Sequence, residues 1–321
     1  MVAFVVVAAA QNHSGQPAAQ QPPPYWAYAI NPELNTATAL AKPASNLPRH
    51  IPGSEATFTE PQVHDFFSAP DWHPSGHPAM PEVVAHGRKP DLFACGFCHL
   101  PNGQGRPENS RLAGLPAGYI VQQMADFKSG LRKSSESRRK PGAMMTTLAT
   151  MANQQEIQAA ARYFSGLRPR PWIRVVETNT VPTTRVAGWM LVPSDPAATE
   201  PISQRIIEVP ENLEQTELRD DSSGFIAYVP VGSINKGKAL ATTGAAGKTV
   251  PCAKCHGPGL RGTGNVPSIA GCSPSYIVRQ LYDIQSGARA GALTQQMKAP
   301  TAKLTLDDMI AIAAYVASLR P

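Results

Sequence analysis

Two Cys-x-x-Cys-His pentapeptides constrain this chain more than any other feature: Cys95-Gly-Phe-Cys98-His99 and Cys252-Ala-Lys-Cys255-His256. The pattern is the attachment signature of a c-type haem. Two thiols form thioethers with the porphyrin vinyl groups, and the adjacent histidine offers an imidazole to the iron. Two matches, each followed by a similar stretch of chain, point to a protein that folds around two covalently held haems. Zinc is the competing chemistry, but a structural zinc takes four N or S ligands. Here the pairs lie 157 residues apart and only Cys272 remains. A thioredoxin-like dithiol would call for a βαβ pattern that neither motif shows.

An internal repeat extends the argument beyond the pentapeptides. The offset of 157 holds without a gap from the motifs to Arg132 against Arg289. It aligns Tyr119-Ile-Val-x-Gln123 with Tyr276-Ile-Val-x-Gln280, and Ser129-Gly130-x-Arg132 with Ser286-Gly287-x-Arg289. Near the end it becomes 152, pairing Leu167-Arg168-Pro169 with Leu319-Arg320-Pro321, so the first copy holds five extra residues after Arg132. Two copies of one unit explain this pattern. A haem with one histidine needs a second axial ligand, commonly a methionine thioether. Met297 is the only methionine between the second motif and the last helix, and the 152 offset carries it onto Met145. Met144 would need a further one-residue gap. Met124, Met151 and Met309 occupy apolar helical positions and read as core.

These residues resemble the class I cytochromes c, and in particular the periplasmic tandem dihaem, c-four type. The second copy carries that family's pattern in Pro267-Ser-Ile-Ala-Gly271, Tyr276, Gln280, Gly287-Ala-Arg289, Met297 and Tyr315. The first departs from it at Ser110, where proline is expected, and at Leu100, where glycine commonly follows the histidine. The resemblance covers roughly 80–169 and 227–321. It implies a mainly α fold, with two class I cytochrome c-type helical domains in tandem joined by an extended segment with short β-strands. The cofactors it implies are two haem c groups, ligated at iron by His99 with Met145 and His256 with Met297. It further implies that the carbonyl of Pro267 accepts the imidazole Nδ1–H, and that Tyr119, Arg132, Tyr276 and Arg289 lie on the propionate side. Core packing is the competing role for both tyrosines. The implied activity is outer-sphere electron transfer between periplasmic redox partners. A dihaem peroxidase-like enzyme, or the cytochrome subunit of a periplasmic dehydrogenase, is the alternative.

The rest of the chain frames the two units. Charged residues make up 16% of it, below the roughly 25% of average domains. Its 32 prolines favour extended connections between compact pieces. Residues 2–10 form an apolar run that reads as a truncated secretory signal, too short to span a membrane. Residues 11–79 read as an irregular Pro-rich arm with a short helix near residues 60–67. In its Asp71-Trp-His-Pro-Ser-Gly-His-Pro78, two histidines are available as metal or haem ligands in a sequence that also makes a good turn. Domain 1 is expected over 80–170 and domain 2 over 227–321, each opening with a glycine-bearing helix (Gly87, Gly237) that crosses the last helix at Tyr163 or Tyr315. Between them, 171–226 carries three short apolar runs, at 172–176, 189–192 and 205–209, that read as strands of a possible β-ribbon. Asn153-x-x-Glu156 and Thr305-x-x-Asp308 are capping boxes, and Ser273-Pro274 starts a middle helix. Cys272 reads as a small core residue. The formal charge of +6 falls to about +4 once two ferric haems with ionised propionates are counted, which argues against nucleic acid. The basic run from Arg132 to Lys140 is either a solvated loop or a docking patch for an acidic redox partner.

Overall fold

A computed structural model describes residues 15–32, 45–195 and 197–321, so the apolar run at 2–10 lies outside it. The chain is mainly helical, with two helical units and a short β region between them. The arm contributes single turns α1 (Tyr25–Tyr28) and α2 (Glu60–Val63). The first unit follows with α3 (Glu82–Ala85), α4 (Cys95–His99), α5 (Ala117–Lys128), α6 (Lys140–Met151) and α7 (Gln154–Gly166). Strands β1 (Ile173–Glu177), β2 (Thr180–Pro182), β3 (Thr184–Ala187), β4 (Met190–Pro193), β5 (Thr199–Pro201) and β6 (Ile207–Pro210), turn α8 (Leu213–Glu217) and β7 (Phe225–Val229) form the connection. The second unit has α9 (Ser233–Thr243), α10 (Ala253–His256), α11 (Pro274–Gln285), α12 (Lys298–Thr301) and α13 (Leu306–Ser318).

Local chemistry sets the helix ends. Asn153 and Thr305 each cap their helix in a reciprocal box with Glu156 and Asp308, which satisfies two otherwise orphaned amides. Ser273 accepts from the Tyr276 amide, and Pro274 occupies the first turn of α11. In the second unit Gly237 lets α9 lie directly on α13, where a Cβ would sit 1.9 Å from the Ala311 carbonyl oxygen and 2.8 Å from Tyr315 Cβ. The first unit departs from this scheme. Its opening helix is a single turn ending at Ala85, and Gly87 lies outside it at φ +66°. A side chain at Gly87 would strike the Leu92 carbonyl oxygen at 2.2 Å rather than α7. Pro90 explains the difference, because a proline three residues on biases its predecessor away from helix and leaves the chain to turn back.

The three apolar runs of the connection become β1, β4 and β6. β7, which the sequence reading did not mark as a strand, is the middle of the main sheet. It pairs parallel with β1 (Ile173 opposite Phe225) and antiparallel with β6 (Ile207 opposite Tyr228). Ile207, Val209 and Val229 join the second unit's core with Ile277, Val278 and Ile310, so this sheet backs the second unit. Cys272 is buried in the same core and Met309 is fully enclosed, whereas Met151 is 44% exposed and is not core.

The arm is irregular, but it is seated on both units. Its first part lies on α11: Tyr28 donates to Asp283 at 2.7 Å, and Arg279 donates to the Ala27 carbonyl at 2.6 Å. Its second part covers the first pentapeptide. Phe66 packs on Phe93 and Phe97, and its carbonyl accepts from the Ala94 amide.

Candidate functional site

Each pentapeptide is a short helix followed by a tight loop that turns the chain beneath its histidine. His99 Nδ1 lies 2.9 Å from the Ser110 carbonyl and His256 Nδ1 lies 2.8 Å from the Pro267 carbonyl. A carbonyl can only accept, so each Nδ1 carries its proton and each Nε2 is left as a free ligand. Burial lowers both histidines, which favours the neutral imidazole a metal requires. Ser110 therefore supplies the same bond as Pro267, through its backbone.

The two loops share three left-handed positions with exchanged residues, and the second adds Gly259 and Gly264. Positive φ occurs at Leu100, Gly103 and Gly105 in the first, and at Gly257, Leu260 and Gly262 in the second. The glycine expected after the histidine is thus replaced by Leu100 at φ +64°, while the matching leucine of the second unit has moved three residues on. Both leucines are buried.

In the first unit the pentapeptide faces an apolar cleft with an empty volume of about 1410 Å³, open to solvent. Its walls are mostly apolar side chains, the surroundings the face of a planar macrocycle requires. Cys95, Cys98 and His99 form one part of its wall, and Pro141, Met145 and Leu148, on one face of α6, form another. Met145, and not its neighbour Met144, lines the space. In the second unit Met297 ends a 3-10 turn (Ala292–Met297) and packs, half-buried, on the core. Burial pushes the Cys95 thiol up to about 12 and Cys252 to about 11. Dithiol exchange needs thiolate, which these surroundings disfavour, and thioether anchors do not.

The four expected tyrosine and arginine contacts meet, but across the two units rather than within each. Arg132 and Arg289 face each other in an antiparallel bridge, closed by Lys133 N–H to the Ala288 carbonyl (2.8 Å) and Ala290 N–H to the Leu131 carbonyl (2.7 Å). Arg132 donates to its own Gln123 at 2.8 Å, and across the seam to Tyr276 at 3.0 Å and Gln280 at 3.3 Å. Arg289 mirrors it, reaching Gln280 at 2.8 Å, Tyr119 at 2.9 Å and Gln123 at 2.8 Å. Tyr119, Arg132, Tyr276 and Gln280 all line the first unit's cleft. Burial acts to raise the Tyr119 hydroxyl, but Arg289 and Arg132 hold it below the usual tyrosine value. All the partners of these two cations are neutral, and among the described residues neither forms an ion pair. Arg289 Nε is buried without an acceptor. The seam is therefore built to receive anions, and haem propionates fit it.

Gln123 and Gln280 were visible in the repeat but carried no assigned role. Their shared offset was the signal. Arg219 had no such signal: it stacks 3.6 Å over the Phe97 ring and donates to the Phe97 carbonyl at 2.9 Å, from 122 residues downstream. The basic run from Arg132 to Lys140 is largely used internally. Arg132 is in the seam, Arg139 is buried and donates to the Glu108 carbonyl, and Arg138 pairs with Glu136. Ser135 bonds Asp283 and Ser286 of the second unit. The segment thus docks in part on the other unit, while Lys133, Arg138 and Lys140 remain exposed.

Comparison with known proteins agrees with this geometry. The family described as cytochrome c matches residues 87–168 and again 234–320. A thiosulfate dehydrogenase electron acceptor from Thiomonas intermedia is 26% identical over 71% of this chain and 80% of its own length. Cytochrome c4 from Azotobacter vinelandii is 26% identical over 70% of this chain and 84% of its own. Among solved structures, thiosulfate dehydrogenase (TsdBA) from Marichromatium purpuratum superimposes with a TM-score of 0.50 at 27% identity. That match covers 74% of this chain and 39% of that one. With two matched regions that coincide with the two pentapeptide units, the chain belongs to the cytochrome c family, as a two-domain electron carrier with two covalent haem c groups.

Proposed function

We propose that the protein accepts electrons from a periplasmic dehydrogenase and passes them to a further redox protein by outer-sphere transfer. In this reading Cys95, Cys98, Cys252 and Cys255 anchor the haems, His99 and His256 are the proximal iron ligands, and Met145 and Met297 are the distal ones. The observation that carries it is the first unit's cleft, where a histidine with Nε2 free and a methionine share one apolar enclosure. The haems supply one-electron Fe(III)/Fe(II) chemistry. His99 with Met145 and His256 with Met297 would hold the two irons between them, and that full donor set favours a carrier over a peroxidase. Methionine would raise the potential relative to anionic ligands, Arg132 and Arg289 would hold the propionates, and the hydrogen bonds of the seam link the two units. Relatives named for thiosulfate dehydrogenase support a dehydrogenase as the donor. An export compartment follows from covalent haem attachment.

The test uses Met145→Ala, Met297→Ala and Met144→Ala in the purified holoprotein. Each of the first two should remove half of the methionine–iron near-infrared band and leave one ferrous haem able to bind carbon monoxide. Met144→Ala should change neither. Loss of the band in Met144→Ala with retention in Met145→Ala would overturn the ligand assignment.

A further inference from the structure

Beside the first haem loop, the arm and the connection bring together a histidine and two carboxylates that neither the fold nor electron transfer accounts for. Trp72, buried, donates from Nε1 to the Leu218 carbonyl at 2.8 Å and so lays the next residue, His73, against the turn after α8. There His73 Nε2 lies 3.1 Å from Asp220 Oδ1 and 3.9 Å from Asp221 Oδ1. One ligand atom from each of the three residues fits within a sphere of contacts no wider than 4.8 Å.

The surroundings make this more than an acidic turn. The Asp220 side chain is 0% exposed and that of Asp221 4%. Asp220 Oδ1 is occupied, accepting from the Ser222 amide and hydroxyl at 2.8 Å each. Asp220 Oδ2 and Asp221 Oδ1 are buried with no hydrogen-bond partner among the described residues. Among the described residues no lysine or arginine comes within 4.0 Å of either, His73 makes their ionic contacts, and the His77–Asp71 pair also acts on Asp221. Two adjacent buried carboxylates with one histidine between them are under-compensated, since an unpaired buried charge costs several kcal/mol.

We propose that His73, Asp220 and Asp221 form a divalent-cation site of the zinc type. One imidazole and two carboxylates suit a borderline ion of low coordination number. Calcium asks for six to eight oxygens, which this turn does not offer. Ser222 supplies the supporting bonds that orient Asp220, and His73, 24% exposed at its side chain, opens the site to solvent. The bound ion would rivet the arm to the connection beside the first haem loop, where Asn102 already donates to the Asp221 carbonyl at 2.5 Å.

The test is zinc titration of the full-length holoprotein after chelator treatment, with metal content read against the two irons per chain. The expected result is one saturable zinc per two irons, with an unfolding midpoint that rises with zinc concentration. Asp221→Asn and Asp220→Asn should each weaken binding by about tenfold or more, while His86→Ala, an exposed histidine elsewhere, should leave it unchanged. If Asp220→Asn does not fold, Asp221→Asn and the wild-type titration still decide the matter. Absence of saturable uptake, or uptake that the Asp221 variant retains in full, overturns the proposal; in that case His73 acts only as a counter-charge.

Discussion

Replacing Arg289 by Gln separates a seam that holds propionates from one that only joins two units. Both guanidinium groups donate to Gln123 Oε1 at 2.8 Å, which keeps their donating nitrogens within about 6 Å of each other. At an effective dielectric of about 20, their repulsion is about 3 kcal/mol. Against this stand the three hydrogen bonds Arg289 makes to Gln280, Tyr119 and Gln123, each of which contributes about 1.5–3 kcal/mol when charge-assisted. A glutamine keeps part of that bonding. Without an anion, relief of repulsion and partial loss of bonding nearly cancel, and the variant should stay within about 1 kcal/mol of the wild type. With carboxylates in the seam, removal of one cation leaves a buried anion poorly paired, at a cost of about 3–5 kcal/mol.

The expected result for the holoprotein is the larger loss, measured by denaturant unfolding followed through haem absorbance. Spectroelectrochemical titration should show both midpoint potentials falling, because a positive charge that disfavours the ferric state has been taken from a seam shared by both units. A destabilisation below about 1 kcal/mol with both potentials unmoved would refute the assignment of propionates to this seam.

Gly237→Ala should destabilise the second unit by about 2 kcal/mol despite the better helix propensity of alanine, because the obstructing atoms belong to the α13 backbone. Gly166→Ala, with nothing within 4 Å of its Cβ, should be neutral or slightly stabilising, and thermal melts of the pair check the contrast. Burial acts to raise Asp308, but Lys236 and the Thr305 cap hold it below the ordinary aspartate value of 3.8. Its contribution is therefore present above that pH and lost as pH falls through the lower folded value, and Asp308→Asn should flatten the acid limb of the stability–pH curve. Leu100→Gly should relieve about 1–3 kcal/mol of strain but forfeit a buried leucine at about 2–5 kcal/mol, so denaturant unfolding should show a net loss. Arg106, Arg139 and Arg219 gather near the first unit's haem motif, where the described carboxylates acting on them, Glu108 and Asp283, are fewer. Two redox transitions should therefore resolve, with the first unit's haem at the higher potential; coincident transitions would contradict this.

The parts of the fold that could be read from the sequence are those governed by short-range rules or by the repeat. The capping boxes at Asn153 and Thr305 formed as their spacing requires, and the glycine at 237 sits where two helices touch. Gly87 misled because a glycine before Arg-Lys-Pro serves a turn as readily as a helix crossing, and only the position of Pro90 distinguishes the two. The seam was half legible. The repeat identified Tyr119, Arg132, Tyr276 and Arg289, but repetition shows that two units are alike and says nothing about how they face. A two-fold arrangement lets each arginine satisfy its partner's tyrosine, and the same residues would have supported contacts within each unit equally well. The run from Arg132 to Lys140 was legible only as charge: composition counts cations without counting their partners, and Arg132 and Arg139 turn inward to the Gln pair and the Glu108 carbonyl while Lys133, Arg138 and Lys140 stay exposed. The arm and the His73 cluster were least legible, because His73 meets Asp220 from 147 residues away and neither segment has periodicity of its own. What fixes them is a buried tryptophan hydrogen-bonded to a turn, a long-range contact that composes with the haem loop through Asn102. Other long-range contacts seat the arm on both units, its first part on α11 and its second beside the first haem motif.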